Sequence, residues 1–426
     1  MLITDATLPD GRTQDVRIKG ETIAEIGEML STTAEERSID ASGKRLLPGM
    51  IDVHVHFRQP GYSHKETWAS GSKSAAAGGV TTVVDQPNTD PPTIDGDRFD
   101  QKADLAADSL VDFAINGGVT DEWRPEELFD RPLFALGEVF LADSTGNMGI
   151  DADLFADAVS RASERDVTVT VHAEDARRFN DSARERDDAD AWSAYRTPQA
   201  EIDAVRRACT VANDHGARIH VAHTSTPEAI DIATDAGMTC EVTPHHLFLS
   251  RDDLPELGTF GRMNPPLRRE NRRRKVFERV ADGTVDMIAT DHAPHTREEK
   301  DASIWDAPSG VPGVETALPL LLNEAREGNL SYERVRDLTA ANPAAAFGLS
   351  NKGRIEEGFD ADLVLVDPDD PRPIRGAETH TKCDWTPFEG MDAVFPELTM
   401  VRGTVVYENR HEELFGEPVG ENVRSA

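Results

Sequence analysis

Short apolar, β-branched runs occupy both ends of this chain, and similar runs recur through its middle with helical stretches between them. At the start, Met1–Ala6, Asp15–Lys19, Thr22–Ile26 and Arg45–Leu47 read as strands, the last entered through a turn at Asp40-Ala-Ser-Gly-Lys44. At the end, Ala361–Asp367, Glu397–Arg402 and Thr404–Tyr407 have the same texture. The two sets predict a small β-sandwich domain built from both termini. Between them lie eight strand-like runs: Ile51–His56, Val80–Asp85, Val111–Gly117, Leu133–Phe140, Val167–His172, Arg218–His223, Thr239–Pro244 and Val285–Asp291. Helical candidates fall in the gaps, among them Thr67–Ala77, Ala152–Arg165, Ala200–His215 and Thr226–Ala236. Alternation of this kind is the pattern of a parallel α/β domain, and the number of units predicts a (β/α)8 TIM-type barrel, a fold that typically needs ~250 residues. Ser331–Leu338 and Asn342–Phe347 read as helices leading back to the β domain. The expected organisation is residues 1–47 as the first part of the β domain, 48–348 as the barrel and 349–426 as the second part.

The polar residues that interrupt these runs fall at strand ends, where the loops of such a barrel converge on one opening. His54 and His56 stand at i and i+2, so on a strand both imidazoles leave the same face and can share one metal ion. Arg58 follows closely and puts a fixed cation beside that metal, suited to a substrate carboxylate. Asn88 ends the second strand, His172 the fifth, His223 the sixth and Asp291 the eighth. Four imidazoles and an aspartate form a nitrogen and oxygen set that suits zinc.

Composition narrows the setting. The net charge of -34 repels nucleic acid and anionic membranes, so neither is an expected partner. Only nine of the 45 basic residues are lysine, and acids are spread along the whole chain. Such a surface resembles that of proteins from salt-loving organisms, where concentrated salt screens the repulsion. A mean hydropathy of -0.49, no apolar run of membrane-spanning length and a start lacking the basic residues of a signal peptide lead us to expect a cytoplasmic protein. Cys209, Cys240 and Cys383 stand far apart, which argues against a disulfide framework or a thiolate zinc site.

Several segments together resemble a known family. Pro48-Gly-Met-Ile-Asp-Val-His-Val-His-Phe-Arg-Gln-Pro-Gly61, His64-Lys-Glu-Thr67, Ala75-Ala-Ala-Gly-Gly-Val-Thr-Thr82, Gln86-Pro-Asn-Thr89 and Ala289-Thr-Asp-His-Ala-Pro-His295 are similar to the dihydroorotases of the amidohydrolase superfamily. With the acidic composition, this points to a halophilic archaeon. The resemblance implies reversible hydrolysis of (S)-dihydroorotate to N-carbamoyl-L-aspartate in pyrimidine biosynthesis, a small-molecule substrate, two zinc ions per chain and a homodimer. It places His54, His56 and Asp291 on one zinc and His172 and His223 on the other, with Asp291 also moving the proton. His223, which precedes Thr224-Ser-Thr226, is preferred to His220. Arg58, Asn88, Asn264 (in Met263-Asn-Pro-Pro-Leu267) and His295 are implied to bind substrate, together with backbone groups near Ser309 and Gly310 in a loop expected to be mobile. His245 and His246 read as supporting structure. Dihydropyrimidinases and allantoinases share the fold and metal site, and a scaffold that has lost catalysis is a further alternative; Arg58 and His295 resemble dihydroorotases, where they meet a carboxylate.

One position departs from the family. Many relatives bridge their metals with a carbamylated lysine at the end of the fourth strand, where this chain has Glu138-Val-Phe-Leu-Ala-Asp-Ser-Thr-Gly-Asn-Met148. No lysine occurs between Lys102 and Lys275. Two neighbouring dications still require an anionic, two-oxygen bridge. Glu138 is the expected bridge, with Asp143 the runner-up.

Overall fold

The computed structural model describes residues 1–33, 36–142, 148–410 and 412–425. The two ends of the chain build one nine-stranded sheet. Its order is Leu414–Phe415, Thr404–Glu408, Pro396–Val401, Leu363–Val366, Arg45–Pro48, Leu2–Thr7, Thr13–Lys19 and Thr22–Gly27, with Ser38–Asp40 beside Leu2–Thr7. The expected sandwich is therefore a single hydrogen-bonded sheet that curls. Ile23 donates its N–H to Phe359 O at 2.9 Å, which brings the far edge back to the strand opening at Leu363. Alternation within the strands explains its two faces. Leu46, Leu363 and Leu365 turn into the sheet's own core with Ile3, Val16 and Met400. Leu47, Val364 and Val366 turn the other way, into the core of the α/β body.

That body contains two parallel sheets. The first is Met50–Val55, Val80–Asp85 and Asp112–Ile115; the second is Leu136–Phe140, Val169–His172, Ile219–Val221, Thr239–Val242 and Met287–Ile288. Their strands are buried on both faces, as the near-continuous apolar runs require. Parallel bridges join the sheets at both margins, Gly117 with Leu136 and Val55 with His292. One apolar cluster draws Ile51, Val53, Val84 and Ala114 from the first sheet and Met287 from the second, closed beneath by Phe347 and Leu349. Helices connect the strands. Trp68–Ala77 starts at Thr67 with a capping box to Ser70, and Pro198–His215 ends at Gly216, whose φ of 61° suits a residue without Cβ. Among the described residues no helix is long and apolar enough to cross a membrane.

The eighth strand is shorter than the apolar pattern predicts. Only Met287–Ile288 stays in the ladder. Beyond it, Thr290 gives its N–H to the buried Asp52 carboxylate at 3.0 Å and its hydroxyl to the other oxygen at 2.6 Å. A side chain thus replaces the neighbouring strand as acceptor, and the backbone is released to turn at Asp291. At the C-terminus, Phe113 N–H donates to Glu421 O and Val423 N–H to Phe113 O, both at 2.9 Å, so the last residues lie against the parallel strand Asp112–Ile115.

Candidate active site

The carboxyl ends of the parallel strands surround a narrow recess lined by His56, Arg58, Asn88, Glu138, His172, His223, Asn264, Asp291, Ser309 and Gly310, with Phe140 and Ala293 completing the wall. His54 and His295 lie directly behind it. Every site residue named from the sequence is therefore in or against one cavity, apart from Asp143, which lies outside the described residues. Three of them sit in left-handed backbone: Arg58 at φ 65°, His223 at 32° and Asp291 at 48°. For non-glycine residues such conformations cost roughly 1–3 kcal/mol each and persist where the surroundings impose them. Here they turn side chains inward at the moment each strand ends.

The imidazoles show what the recess is built to hold. His54 Nδ1 donates to Glu241 Oε1 at 2.6 Å, His56 Nδ1 to Asn88 Oδ1 at 2.7 Å, and His172 Nε2 to Glu174 Oε2 at 2.9 Å. With a proton committed on each outer nitrogen, the neutral form of each ring presents a lone pair from its inner nitrogen. Those lone pairs point at carboxylates. His54 Nε2, buried and without a hydrogen-bond partner, faces Glu138 Oε2 at 3.5 Å and Asp291 Oδ1 at 3.6 Å. His56 Nε2 is 3.0 Å from Asp291 Oδ1; His172 Nδ1 is 2.9 Å from Glu138 Oε1 and 3.0 Å from His223 Nε2, which is itself 2.5 Å from Glu138 Oε1. Lone pairs aimed at anions repel unless positive charge lies between them. In the protein alone that charge is a proton: against burial, the Glu241 and Glu138 carboxylates raise His54 well above the usual histidine range, and Glu138 and Glu174 push His172 up to about 9. A divalent ion can take the place of those protons. His54, His56 and Asp291 form one group able to hold a metal ion, and His54, Glu138 and His223 another. The donor set fits divalent metal on neutral nitrogen and carboxylate oxygen.

On the other side of the recess the demand is reversed. Arg58 is 3% exposed, donates through Nε to Pro294 O at 3.2 Å, and has Nη2 3.2 Å from His295 Nε2. Burial lowers its pKa, with Asp291 and Asp85 opposing, and no described carboxylate pairs with it. A buried guanidinium left in this state is completed by an anionic ligand.

Residues 45–406 match the amidohydrolase family profile. A protein curated as dihydroorotase from Halobacterium salinarum is 66% identical over 425 residues, 99% of each chain. Another from Methanosarcina acetivorans is 45% identical over 93% of this chain and 89% of its own. The chain belongs to the dihydroorotases of the amidohydrolase family. Solved structures similar to this dihydroorotase include an L-hydantoinase (dihydropyrimidinase) from Arthrobacter aurescens, TM-score 0.93 at 29% identity over 99% of this chain and 98% of that one. A dihydropyrimidinase from Brevibacillus agri gives 0.90 at 27%, with the same coverage. The salt-adapted composition agrees with the Halobacterium relative.

In this dihydroorotase the supporting residues escaped the sequence reading. Glu241 accepts from His54, from His220 Nε2 at 3.0 Å and from the His223 N–H at 3.1 Å, so one carboxylate sets two of the histidines that face the recess. His220 itself turns away, to Glu241 and Thr239. Glu174 orients His172 and is neutralised by Arg196 at 2.6 Å. Lys102, fully buried, bonds Asp85 and Gln86 O, each at 2.6 Å, while Asp85 accepts the Phe57 N–H at 2.7 Å; together they fix the loops carrying Arg58 and Asn88. A charged residue inside an apolar strand, as in Cys240-Glu241-Val242, was the available signal. His246 bonds Thr243 and Pro265 O, the supporting part expected of it. The loop at Ser309 and Gly310 is held by the Lys300 ammonium, which donates to the carbonyls of Arg262, Pro308 and Gly310 at 3.0–3.1 Å.

Proposed function

We propose that the chain interconverts (S)-dihydroorotate and N-carbamoyl-L-aspartate on two zinc ions, one held by His54, His56 and Asp291, the other by His172 and His223, with the Glu138 carboxylate between them. The observation that carries this reading is the pairing of inward lone pairs against carboxylates with an unpaired, buried Arg58 across the same cavity. Zinc bound there supplies an acidified water and an electrophilic carbonyl. The chain's own residues do the rest. Arg58 takes the substrate carboxylate, with Asn88, Asn264, His295 and the backbone at Ser309 and Gly310 lining its place. Asp291, positioned by its strained turn and its contact with His56, accepts the proton of the attacking water and returns it to the ring nitrogen as the amide C–N bond breaks. In the reverse direction it deprotonates the carbamoyl nitrogen.

An uncharged cyclic diamide, the type of substrate suggested by the names of the structural neighbours, leaves Arg58 with nothing to bind. A scaffold without catalysis has no use for lone pairs set against carboxylates. We further propose that the two parallel sheets are one (β/α)8 barrel, supported by the bridges at both margins and the shared interior cluster. Residues 1–47 and 349–426 would be its β domain and 48–348 the hydrolase body. The enzyme would be a cytoplasmic homodimer. Asp291→Asn tests the central assignment: cyclisation of N-carbamoyl-L-aspartate at high salt should be abolished with the fold intact by circular dichroism, and retained turnover would remove Asp291 from the mechanism.

A further inference from the structure

The His64-Lys-Glu-Thr67 segment has no part in the chemistry above, yet it approaches the cavity from behind. Thr67 caps the helix Trp68–Ala77, and the fully buried Glu66 binds Ser70 and Thr381, so the turn between them is fixed. Lys65 extends from this fixed turn toward His295. Its ammonium is 3.0 Å from Glu299 Oε1 and 3.1 Å from His295 Nδ1. Glu299 is in turn held by a capping box, accepting the Thr296 N–H at 3.0 Å at the start of Arg297–Lys300.

The two nitrogens of His295 therefore face opposite partners. Nδ1 meets an ammonium, which can only donate. Nε2 has the Ser309 carbonyl oxygen, an acceptor, at 3.0 Å and the Arg58 guanidinium, a donor, farther off at 3.2 Å; only a proton on Nε2 satisfies both the Ser309 carbonyl and the Lys65 ammonium. Glu299 Oε2 is also near Nδ1, but at 3.7 Å it is beyond hydrogen-bonding range. Burial and the Arg58 charge hold the imidazole well below the usual histidine range, so the ring is neutral and carries one proton. We infer that Lys65 is a positioning residue that fixes His295 as its Nε2–H tautomer, aiming a donor at the place where the substrate carboxylate meets Arg58. Arg58 Nη2, 3.2 Å from the same Nε2, is a second donor converging there. Two donors crowded together with one carbonyl between them are best satisfied by an anion. Without the ammonium, the nearest group to Nδ1 is the Glu299 carboxylate, and the proton should move to Nδ1. Nε2 would then present a lone pair to the incoming carboxylate.

This inference rests on the proposed carboxylate site, and the test separates the two. With histidine-specific ¹⁵N labelling, the His295 nitrogens are assigned by their loss in His295→Asn. They should report Nε2–H in the native enzyme and Nδ1–H in Lys65→Met. KM for N-carbamoyl-L-aspartate should rise in Lys65→Met by roughly 10–100-fold, the range of one hydrogen bond to a charged group, with kcat changed much less. Glu299→Gln, which withdraws the carboxylate holding the ammonium, should give a mixture of tautomers and serves if Lys65→Met does not fold. An unchanged tautomer in the variants, or a KM that rises in His295→Asn but not in Lys65→Met, overturns the role of Lys65. If His295→Asn leaves KM unchanged, the carboxylate site itself is misplaced, and the tautomer then decides Lys65 alone.

Discussion

Replacing Glu138 with glutamine is the sharpest perturbation of this site. The shape is kept and one negative charge is removed from the centre of a cluster whose imidazole nitrogens stand 2.5, 2.9 and 3.5 Å from its oxygens. A unit charge at ~4 Å is worth ~4 kcal/mol at the effective dielectric of ~20 that suits protein sites, and a dication feels twice that. The amide carbonyl of glutamine returns part of the interaction, leaving a net loss of about 3–5 kcal/mol, or roughly 10²–10⁴ in metal affinity. Glu138→Gln, and more so Glu138→Ala, should therefore purify with one zinc or none where the native chain should hold two, and cyclise N-carbamoyl-L-aspartate poorly. Metal analysis on dialysed protein at fixed free zinc reads the first effect, and the high-salt cyclisation assay the second. A carboxylate bridge also needs no carbon dioxide, so metal-stripped native enzyme should recover fully in bicarbonate-free buffer. Two zinc ions and full activity in Glu138→Gln would refute the reasoning and move the bridge to Asp143 or remove it.

Arg58→Met should raise KM for dihydroorotate by roughly 10²-fold or more, since a charge-assisted partner is lost in a buried site, while leaving zinc content unchanged; equal KM values would mean the substrate carboxylate binds elsewhere. Glu241→Gln cannot accept from His54, His220 and the His223 N–H as a carboxylate does, and should weaken zinc by about 10–100-fold in competition with a chelator. Native-like zinc retention in that variant would reduce Glu241 to packing. Cys209, Cys240 and Cys383 are all buried, and burial pushes the thiols of Cys209 and Cys383 up to about 11. None should react with iodoacetamide at pH 8 until the protein is unfolded; rapid labelling of the native enzyme would show that a buried segment opens.

Local pattern carried far because the residues lining the recess are tied to strand ends. Val80–Asp85 appears where the apolar run placed it, and the histidines at 54, 56, 172 and 223 were singled out at strand ends, although the preference for 223 over 220 rested on the family resemblance. What escaped was set by partners distant in the chain. The eighth strand ends early because Asp52, 238 residues before Thr290, takes its N–H. Glu241 is 187 residues from His54 and Lys65 is 230 from His295, so neither carries a local signal of what it orients. Seven of the nine terminal strands were legible, the short Ser38–Asp40 and Leu414–Phe415 being missed, but whether they form two sheets or one curled sheet depends on the closure between Ile23 and Phe359, which no periodicity encodes.

The proposed bridge at Glu138 asks how a short side chain would do the work of a longer modified one. A carbamylated lysine reaches its metals through flexible methylenes, so small errors in strand position are absorbed by the side chain. Glutamate has little such slack, and its backbone must be held instead. Gln86 provides that hold: its Oε1 accepts the Glu138 N–H at 2.7 Å and an Asn116 amide hydrogen at 3.1 Å, while its Nε2 donates to Val53 O at 3.3 Å. One buried amide thus ties the fourth strand to the first and third directly beneath the cluster. Gly137 packs against Thr170 so closely that an added Cβ would lie 2.4 Å from the Thr170 carbonyl oxygen, which lets the fourth strand sit hard against the fifth. With its backbone fixed on both sides, Glu138 brings one oxygen to His172 and His223 and the other toward His54, so that it would span the two proposed groups of ligands without any modification of the chain.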